Sequence, residues 1–411
     1  MTVRASFDPA DPPWLRASAG AGLLGPDGRP GPTVFERIGA AAAEHGAINL
    51  GQGFPDEDGP AWLLESAARA IADGRNQYAP GIGLPALREA VAAHQHRCYG
   101  LELDPGAGVL VTAGATEAIA AALLAFVEPG DEVITFDPSY DEYGALVALA
   151  RGTHVRVPLE SDGDRLRLPV DAVTAAFGPR TRVVVLNDPH NPTGTQFTDA
   201  ERELLVTLAE RHGALIVTDE VYEHQWFARP HAPAAAVPGA FERTLSVSSA
   251  GKTFSVTGWK TGWITGPPEL IQRVRAVKQY LSFCTSEPYQ LAVAGALEDD
   301  RGWIEDARRG LEAKRTRVLG GLEASGWRTL TPEGTFFILA EPPAWLASAD
   351  DPRAGETAAL ALPASTGVAG IPTTAFMPPG SDVFGRSVRF AFCKTPDVLD
   401  TAMQRLKKAA P

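Results

Sequence analysis

The chain has 411 residues, of which 45% are hydrophobic and 21% are charged, and its formal net charge is −13. These values exclude a disordered or fibrous chain and predict one large and one smaller globular domain. Because Lys and Arg are scattered, a nucleic-acid groove or an anionic membrane surface is disfavoured as a partner. The three cysteines lie far apart, which disfavours a disulfide framework or a zinc site, and we expect no metal.

Residues 1–33 contain many Pro, Gly and Asp residues and no apolar periodicity. This composition predicts an irregular arm that either wraps a partner subunit or stays mobile, rather than a domain. The first residues lack the basic and apolar regions of a secretory signal, and no apolar stretch reaches the ~20 residues of a membrane span. We therefore expect a soluble, cytoplasmic protein.

Apolar runs typical of buried strands come next, separated by helix-like segments. The sequence has seven such runs, at 109–114, 131–137, 153–159, 181–188, 214–220, 243–249 and 262–266. The helix predicted at 199–213 has Thr198 as its expected N-cap and Gly213 at its expected end. This alternation predicts an α/β fold with a mainly parallel, seven-stranded sheet between helices.

A second, smaller domain is predicted towards the C-terminus. A long helical stretch from about 288 to 325 is followed by short strand-like runs, a pattern typical of an α+β domain. We assign residues 61–300 to the large domain. The small domain combines residues 34–60 with residues 301–411.

Two lysines, Lys252 and Lys260, lie in the segment 246–263, directly after a predicted strand. Lysine is usually solvated at the surface. The small residues before Lys252, among them Ser249, nevertheless let the backbone approach a bulky ligand. A lysine partly desolvated there has a lowered pKa and attacks an aldehyde as the free amine. Lys252 is therefore the first candidate for a nucleophile.

Further polar residues lie at the ends of two predicted strands: Asn187 and Asn191 at the end of one, and Asp219 and Tyr222 at the end of the next. Each alone is also typical of an ordinary turn or helix cap. Together they stand at successive strand ends, where ligands of open α/β sheets bind. The sequence thus predicts a ligand crevice at this edge.

The segment SSAGKTFSVTGWK resembles the cofactor-lysine motif of the class I and II, fold-type I aminotransferases, which use pyridoxal 5′-phosphate (PLP). The segments INLGQGFPD, NQYAPGIGLPALREA and VLVTAGATEAIAAAL extend the resemblance over about residues 33–408. The resemblance implies a fold-type I enzyme that moves an amino group from an α-amino acid to a 2-oxo acid by ping-pong chemistry. It also implies a homodimer with active sites at the subunit interface.

By the same resemblance, Lys252 holds PLP as a Schiff base and shuttles the substrate proton. PLP draws electrons only while its pyridine nitrogen is protonated, and a buried Asp219 supplies the stabilising charge. The remaining implied cofactor contacts are Ala115, Thr116, Ser249 and Lys260 at the phosphate, Tyr140 stacked on the ring, Asn191 and Tyr222 at the phenolic oxygen, and Tyr78 at the neighbouring subunit's phosphate.

On the substrate side, Arg389 lies on a predicted strand, and its guanidinium fork suits an α-carboxylate. The resemblance adds substrate contacts at Gly53, Asn191 and, as a lesser candidate, Asn187, with Phe283 and Val34 at the pocket. The motifs are most similar to the kynurenine/glutamine/methionine aminotransferase branch, which includes actinobacterial N-succinyldiaminopimelate aminotransferases.

Several expected pocket positions depart from that branch. Val34 replaces a tryptophan, Asp188 replaces a small hydroxyl residue and Phe336 replaces a tyrosine; the loop SFCTSEPYQ, with Phe283, Cys284 and Glu287, is also unusual. If Asp188 and Glu287 both face the pocket, their charge favours a substrate with a cationic or hydrogen-bond-donating tail.

Two other functions are compatible with these motifs. A PLP-dependent β- or γ-lyase or replacement enzyme uses the same cofactor site, and substrate geometry decides between elimination and transamination. A non-catalytic, aminotransferase-like regulator keeps the fold, but it carries a DNA-binding module, and no helix-turn-helix or basic patch precedes residue 33.

Overall fold

The chain folds around two unequal groups of strands and helices. A computed structural model describes residues 12–25 and 27–411. In chain order the strands are β1 (Ile48–Asn49), β2 (Val109–Thr112), β3 (Glu132–Asp137), β4 (Thr153–Pro158), β5 (Glu160–Asp162), β6 (Arg165–Arg167), β7 (Thr181–Asn187), β8 (Leu215–Asp219), β9 (Thr244–Ser249), β10 (Gly262–Thr265), β11 (Arg328–Thr329), β12 (Phe337–Glu341), β13 (Val368–Ala369), β14 (Ile371–Pro372) and β15 (Val388–Ala391).

The helices surround these strands. They are α1 (Pro13–Gly20), α2 (Val34–Glu44), α3 (Ala61–Ala72), α4 (Pro85–Tyr99), α5 (Gly114–Phe126), α6 (Asp141–Leu149), α7 (Val170–Ala176), α8 (Asp199–His212), α9 (Ala250–Thr253), α10 (Pro268–Lys278), α11 (Glu287–Glu298), α12 (Trp303–Glu323), α13 (Ala354–Thr366) and α14 (Pro396–Ala409). Within the described ranges, no helix has the length and apolar character that a membrane crossing requires.

The large sheet has seven strands in the order β2-β10-β9-β8-β7-β3-β4. Only β10 runs antiparallel to its neighbours, so the predicted, mainly parallel sheet is confirmed. Alternate side chains enter different cores: Val183 packs with α5 and α6, whereas Val184 packs with α7 and α8. Burial on both faces explains why these strands read as continuous apolar runs.

Local sequence determines the ends of α8 as predicted. Thr198 accepts a hydrogen bond from the Glu201 amide, and the Glu201 side chain bonds back to Thr198, which forms a capping box. Gly213 closes the helix with φ 67°, a conformation that favours glycine. Helix α8 therefore holds a fixed position beside β7 and β8.

The smaller group contains the antiparallel sheet β11-β12-β15-β14 and the parallel pair β1-β13. Its core joins Ile38 and Leu50 to Leu322 and Phe390, so the segments before residue 60 and after residue 301 share one interior. This supports the predicted pairing of the two segments, whose bounds stay a prediction. Tyr222 belongs to the same core, which brings the smaller group against the end of β8.

The prediction for the N-terminal segment was wrong in one respect. Residues 13–20 form the helix α1, which packs on α6, and a Cβ atom added to Gly20 would overlap the carbonyl of Gly144. The part of the predicted arm at residues 1–11 and 26 lies outside the described residues.

Candidate active site

The carboxyl ends of the parallel strands border a cavity of about 380 Å³. Eleven of the fifteen predicted site residues line it: Gly53, Ala115, Thr116, Tyr140, Asn191, Asp219, Tyr222, Ser249, Lys252, Lys260 and Arg389. They come from both groups of strands, because Gly53 and Arg389 belong to the smaller one. The crevice predicted from strand ends therefore brings these residues together.

Lys252 lies on the short helix α9, directly after β9. Its Nζ donates a hydrogen bond of 2.9 Å to the carbonyl of Gly53, and it lies 5.1 Å from the centre of the Phe336 ring. Burial lowers the pKa of Lys252 to about 8. About a tenth of the molecules thus carry the neutral, nucleophilic amine at pH 7, far more than for an ordinary lysine.

Asp219 ends β8 at the floor of the cavity. The Tyr143 hydroxyl donates to its Oδ2 at 2.6 Å, and the Val221 amide approaches its Oδ1 at 3.4 Å. Burial raises the pKa of Asp219, whereas the hydrogen bond from Tyr143 opposes that rise. The carboxylate is positioned to face a protonated ring nitrogen or another cation.

The opposite corner of the cavity suits an anion. Thr116 lies in the first turn of α5, where backbone N–H groups and the helix dipole favour negative charge. Lys260 approaches the same turn, because a Cβ atom added to Gly114 would lie 3.1 Å from its Nζ. Ser249 and Thr257 add hydroxyl groups to the lining. An ammonium group, amides and hydroxyls together form a donor set for a phosphate.

Glu142 lies at this same corner and hydrogen-bonds to Thr116. Burial and, to a smaller extent, the nearby Asp219 raise the pKa of Glu142 to about 8. The carboxyl group is therefore mostly neutral at neutral pH and does not repel an anion there.

Arg389 is buried where the smaller group of strands borders the cavity. Its Nη1 donates to Asn191 Oδ1 at 3.0 Å, and its Nη2 donates to the carbonyl of Gly51 at 2.7 Å. Three rings, Phe35, Phe337 and Phe376, lie within 5.5 Å of its guanidinium carbon. Burial lowers the pKa of Arg389 to about 10, so it stays a cation at neutral pH. A buried fork of this kind is suited to a carboxylate.

Four predicted residues lie outside the cavity lining. Asn187 donates to the backbone carbonyl of Asp219 at 2.8 Å and accepts from the Asn191 amide at 2.7 Å, so it positions those residues instead of facing a substrate. Val34 begins α2 and packs against the smaller core.

Tyr78 and Phe283, the other two, contact each other at the surface. Their rings meet edge to face with centroids 5.6 Å apart, and Tyr78 is 84% exposed. Neither side chain reaches the cavity of its own chain. An interface role needs a second copy of the chain.

The hypothesis that Asp188 and Glu287 acidify the pocket was wrong. Asp188 is buried behind β7 and forms an ion pair of 3.0 Å with Arg202 on α8. Glu287, in the first turn of α11, lies 3.7 Å from Arg75 and outside the cavity. Both carboxylates have structural partners, and neither contributes to the choice of substrate through direct contact within this chain.

The site residues predicted from the sequence did not include Tyr143, Glu142, Phe35 and Phe337, which contact or line the site. Tyr143 follows Tyr140 by three residues, a spacing that places two side chains on one helix face. That spacing was an available signal for Tyr143. The other three residues carry no comparable signal in the sequence.

The comparisons with known proteins agree with this geometry. The family model of the class I and II aminotransferases matches residues 45–406. A probable N-succinyldiaminopimelate aminotransferase, DapC, from Mycobacterium tuberculosis is 47% identical and is matched over 92% of this chain and 96% of the relative. A solved structure of the M. tuberculosis N-succinyldiaminopimelate aminotransferase superimposes with a TM-score of 0.88, at 47% identity, covering 92% of this chain and 97% of that one.

Two further relatives have other named activities. The methionine aminotransferase of Escherichia coli is 40% identical, over 92% of this chain and 96% of the relative. The mouse kynurenine–oxoglutarate transaminase 3 is 34% identical, over 90% of this chain and 86% of the relative.

The chain belongs to the class I and II aminotransferases and has the fold-type I architecture. It is an enzyme of the transferase class that moves amino groups, as the sequence predicted.

Proposed function

We propose that the cavity binds PLP and that Lys252 is its point of covalent attachment. The observation that carries this proposal is the partly buried Lys252 amine, with a pKa near 8, in the same cavity as the buried Asp219 carboxylate and the anion-binding corner. An aldehyde, a pyridine nitrogen and a phosphate are the three groups that such an arrangement recognises. The class I and II aminotransferases depend on PLP in general, which supports the assignment.

Each part of the cavity then has a proposed role. Asp219 faces the pyridine nitrogen and holds it protonated. The other proposed PLP contacts are Ala115, Thr116, Ser249 and Lys260 at the phosphate, Tyr140 against the ring, and Asn191 with Tyr222 at the phenolic oxygen. When bound, PLP supplies an electron sink for the negative charge that develops at the substrate Cα.

Lys252 is also the proposed acid and base. Its Nζ accepts the proton from the substrate Cα and returns a proton in the later step, and a pKa near 8 suits both directions of transfer close to neutral pH. The aromatic rings around the amine, Tyr222 and Phe336, limit its access to water. A desolvated amine exchanges its proton with the substrate rather than with bulk solvent.

Arg389 is the proposed anchor of the substrate α-carboxylate. An α-amino acid and a 2-oxo acid share this group, so one cation serves both halves of the ping-pong reaction. The Asn191 and Gly51 contacts hold the guanidinium in place before a substrate arrives. The donor is proposed to be an amino acid of the kind named for the relatives: sulfur-containing, aromatic or N-succinyldiaminopimelate-like.

A homodimer completes the proposal. The surface that carries Tyr78 and Phe283 also exposes Tyr280, at 88%, and Leu281. Large apolar side chains grouped at a surface mark an interaction site. We propose that a second copy covers this surface and that Tyr78 there approaches the phosphate corner of the partner's cavity. A cytoplasmic location stays a prediction.

Covalent labelling tests the attachment site. Purified protein is loaded with PLP, treated with borohydride and digested, and the modified peptide is identified. We expect this peptide to contain Lys252, both in the wild type and in the variant Lys260→Met.

A spectral titration tests the reaction. Amino acids from the three named classes are added to untreated, PLP-loaded protein, without and with a 2-oxo acid. The expected result is a change in the cofactor absorbance that the 2-oxo acid reverses. Labelling at another lysine would overturn the assignment, and pyruvate or ammonia release without a 2-oxo acid would show elimination instead.

A further inference from the structure

A largely buried group of metal-ligand side chains lies apart from the active-site cavity. It consists of His94 from α4 and of Glu223 and His224 from the turn after β8, and we call it the histidine cluster. The Nε2 atoms of His94 and His224 are 3.0 Å apart, and the three ligand atoms all lie within 4.8 Å of one another. None of these residues lines the active-site cavity.

The side chains of the cluster are of the types that bind transition metals. Two imidazole rings and one carboxylate converge, with His94 and Glu223 buried and His224 partly buried. Imidazole nitrogens and carboxylate oxygens are common ligands of zinc in proteins.

The charge of Glu223 has only neutral hydrogen-bond donors around it. Tyr99 donates to Oε2 at 2.7 Å, Ser248 donates to Oε1, and the Gln95 amide approaches at 3.5 Å. Among the residues that the structure describes, no lysine, arginine or histidine forms an ion pair with this carboxylate. A buried charge is normally paired or bound to a metal. A cation here would therefore offset the free-energy cost of burying the Glu223 carboxylate.

The cluster also has a route to it from outside the protein interior. His224 lines a second cavity of about 450 Å³, which is bordered by Trp303, Asp306 and Arg308 of α12. Of the three cluster residues, His224 is the one that borders this cavity. The cavity also leaves room for a water molecule as a further ligand.

We propose that His94, Glu223 and His224 form a binding site for one divalent transition-metal ion, for which zinc is the best match. Two imidazole nitrogens and one carboxylate oxygen are a preferred zinc donor set, with water as the fourth ligand. Tetrahedral zinc holds such atoms about 3.3–3.5 Å apart, from bond lengths of about 2.0–2.2 Å. The histidine nitrogens need to separate only slightly, and the carboxylate needs to approach by at most about 1.5 Å.

The expected role of the ion is structural. His94 belongs to α4, whereas Glu223 and His224 follow Tyr222 and Asp219 in the chain. An ion at the cluster would therefore tie α4 to the turn that supports the floor of the active site. Metal binding should raise the melting temperature and leave the chemistry at Lys252 unchanged.

The experiment uses the full chain without a polyhistidine tag, stripped with a chelator and titrated with Zn²⁺ and with Co²⁺. The variants are His94→Gln and His224→Gln. The matched control is His96→Gln, since His96 lies on the same helix and its side chain is exposed. Metal content after gel filtration, the melting temperature and the Co²⁺ visible spectrum are measured.

We expect one zinc per chain in the wild type and in His96→Gln, with a raised melting temperature in both. Either cluster variant should bind zinc more than about 100-fold more weakly, because even changes outside the ligand shell cost 10–100-fold. The Co²⁺ spectrum of the wild type should show the strong absorption of tetrahedral coordination, which needs no variant to fold. Failure of the wild type to retain one zinc, a weak octahedral Co²⁺ spectrum, or unchanged binding in both cluster variants would overturn the proposal and leave a hydrogen-bonded histidine pair.

Discussion

Tyr143 donates a 2.6 Å hydrogen bond to Asp219, and both side chains are buried. Burial raises the pKa of the Tyr143 phenol well above its usual range, so the hydroxyl stays protonated and acts only as the donor. A donor to a carboxylate favours its ionised form. Tyr143 therefore opposes the burial that raises the pKa of Asp219, and keeps available the charge that the proposed cofactor site needs.

Replacing Tyr143 with Phe should weaken PLP binding. A hydrogen bond to a charged group contributes about 1.5–3 kcal/mol, so the PLP dissociation constant should rise by about 10-fold or more. Absorbance titrations of the apoprotein with PLP, repeated over a pH series, measure the effect. The control is Tyr289→Phe, whose ring stacks on Trp259 at 4.6 Å and lies outside the cavity lining. Equal affinity and equal pH dependence in the two variants would contradict this role for Tyr143.

Arg389→Lys should impair every substrate that carries an α-carboxylate. Lysine keeps the charge but loses the planar fork that contacts Asn191 and Gly51. Breaking a buried, hydrogen-bonded charge pair costs about 2 kcal/mol or more, so kcat/KM should fall at least about 30-fold. Steady-state kinetics with amino donors and 2-oxo acids measure this.

The control for Arg389 is Arg386→Lys. Arg386 lies on the same segment, is partly exposed and donates to the carbonyl of Asp351 at 3.1 Å. Its replacement should leave kcat/KM within about 2-fold, as is usual for surface changes. An equal loss in both variants, or a loss in kcat without any rise in KM at Arg389, would argue against carboxylate binding.

Glu142→Gln should change how stability depends on pH. The pKa of Glu142 in the folded protein is raised to about 8, so its proton stabilises the folded state at low pH and that contribution is lost as the pH rises through 8. The Gln variant lacks this loss. Between about pH 5 and about pH 9, the free energy of unfolding of the apoprotein variant should therefore rise by on the order of 1–3 kcal/mol relative to that of the wild type.

Urea unfolding across that pH series measures the effect of Glu142. The exposed Glu128, on the segment just after α5, provides the control variant Glu128→Gln, which removes a carboxylate from the surface instead of from the cavity. Parallel stability curves for wild type and Glu142→Gln would show that Glu142 is ionised in the folded state.

The parts of the site that the sequence predicted depend on rules that hold along a single strand or helix. Asn191, Asp219 and Lys252 converge because each lies at or just after the end of a parallel strand, and parallel strands end at one edge. The Thr198 capping box needs only four consecutive residues. Such features require no knowledge of which distant side chains meet.

The missed or wrong predictions concern residue pairs that are distant in sequence, or the direction in which a loop residue points its side chain. Asp219 meets Tyr143 across 76 residues, and Asp188 turns away from the cavity because Arg202 on α8 provides its partner. Helix α1 lacks a side-chain cap, so its stability comes from contact with α6, which composition does not reveal. Side-chain direction after a strand was the missing information for Asp188.

Asp188→Asn should destabilise the protein without changing its choice of substrate. Both partners of the Asp188–Arg202 pair are about 3% exposed, and breaking a buried pair costs about 3–5 kcal/mol because the remaining charge is left unpaired. Urea unfolding measures this loss. The control Asp199→Asn removes another partner of Arg202 whose side chain is 83% exposed, and it should cost less than about 1 kcal/mol. A new preference among cationic and apolar donors in Asp188→Asn would return Asp188 to the pocket.

A hybrid dimer tests whether neighbouring subunits share their active sites. If Tyr78 of one chain serves the cavity of its partner, Tyr78→Ala and Lys252→Ala should each be strongly impaired as homodimers. In a hybrid of the two, the chain with an intact Lys252 receives Tyr78 from its partner, so one of the two sites is native. The hybrid, co-expressed with two different tags and purified through both, should show about half of the wild-type activity. The control pairs Lys252→Ala with Arg389→Ala, two residues that line the cavity of one chain, and its hybrid should regain nothing because neither site is complete. A Tyr78–Lys252 hybrid as inactive as its parents, or a wild-type chain that is fully active as a monomer, would show that each cavity works alone.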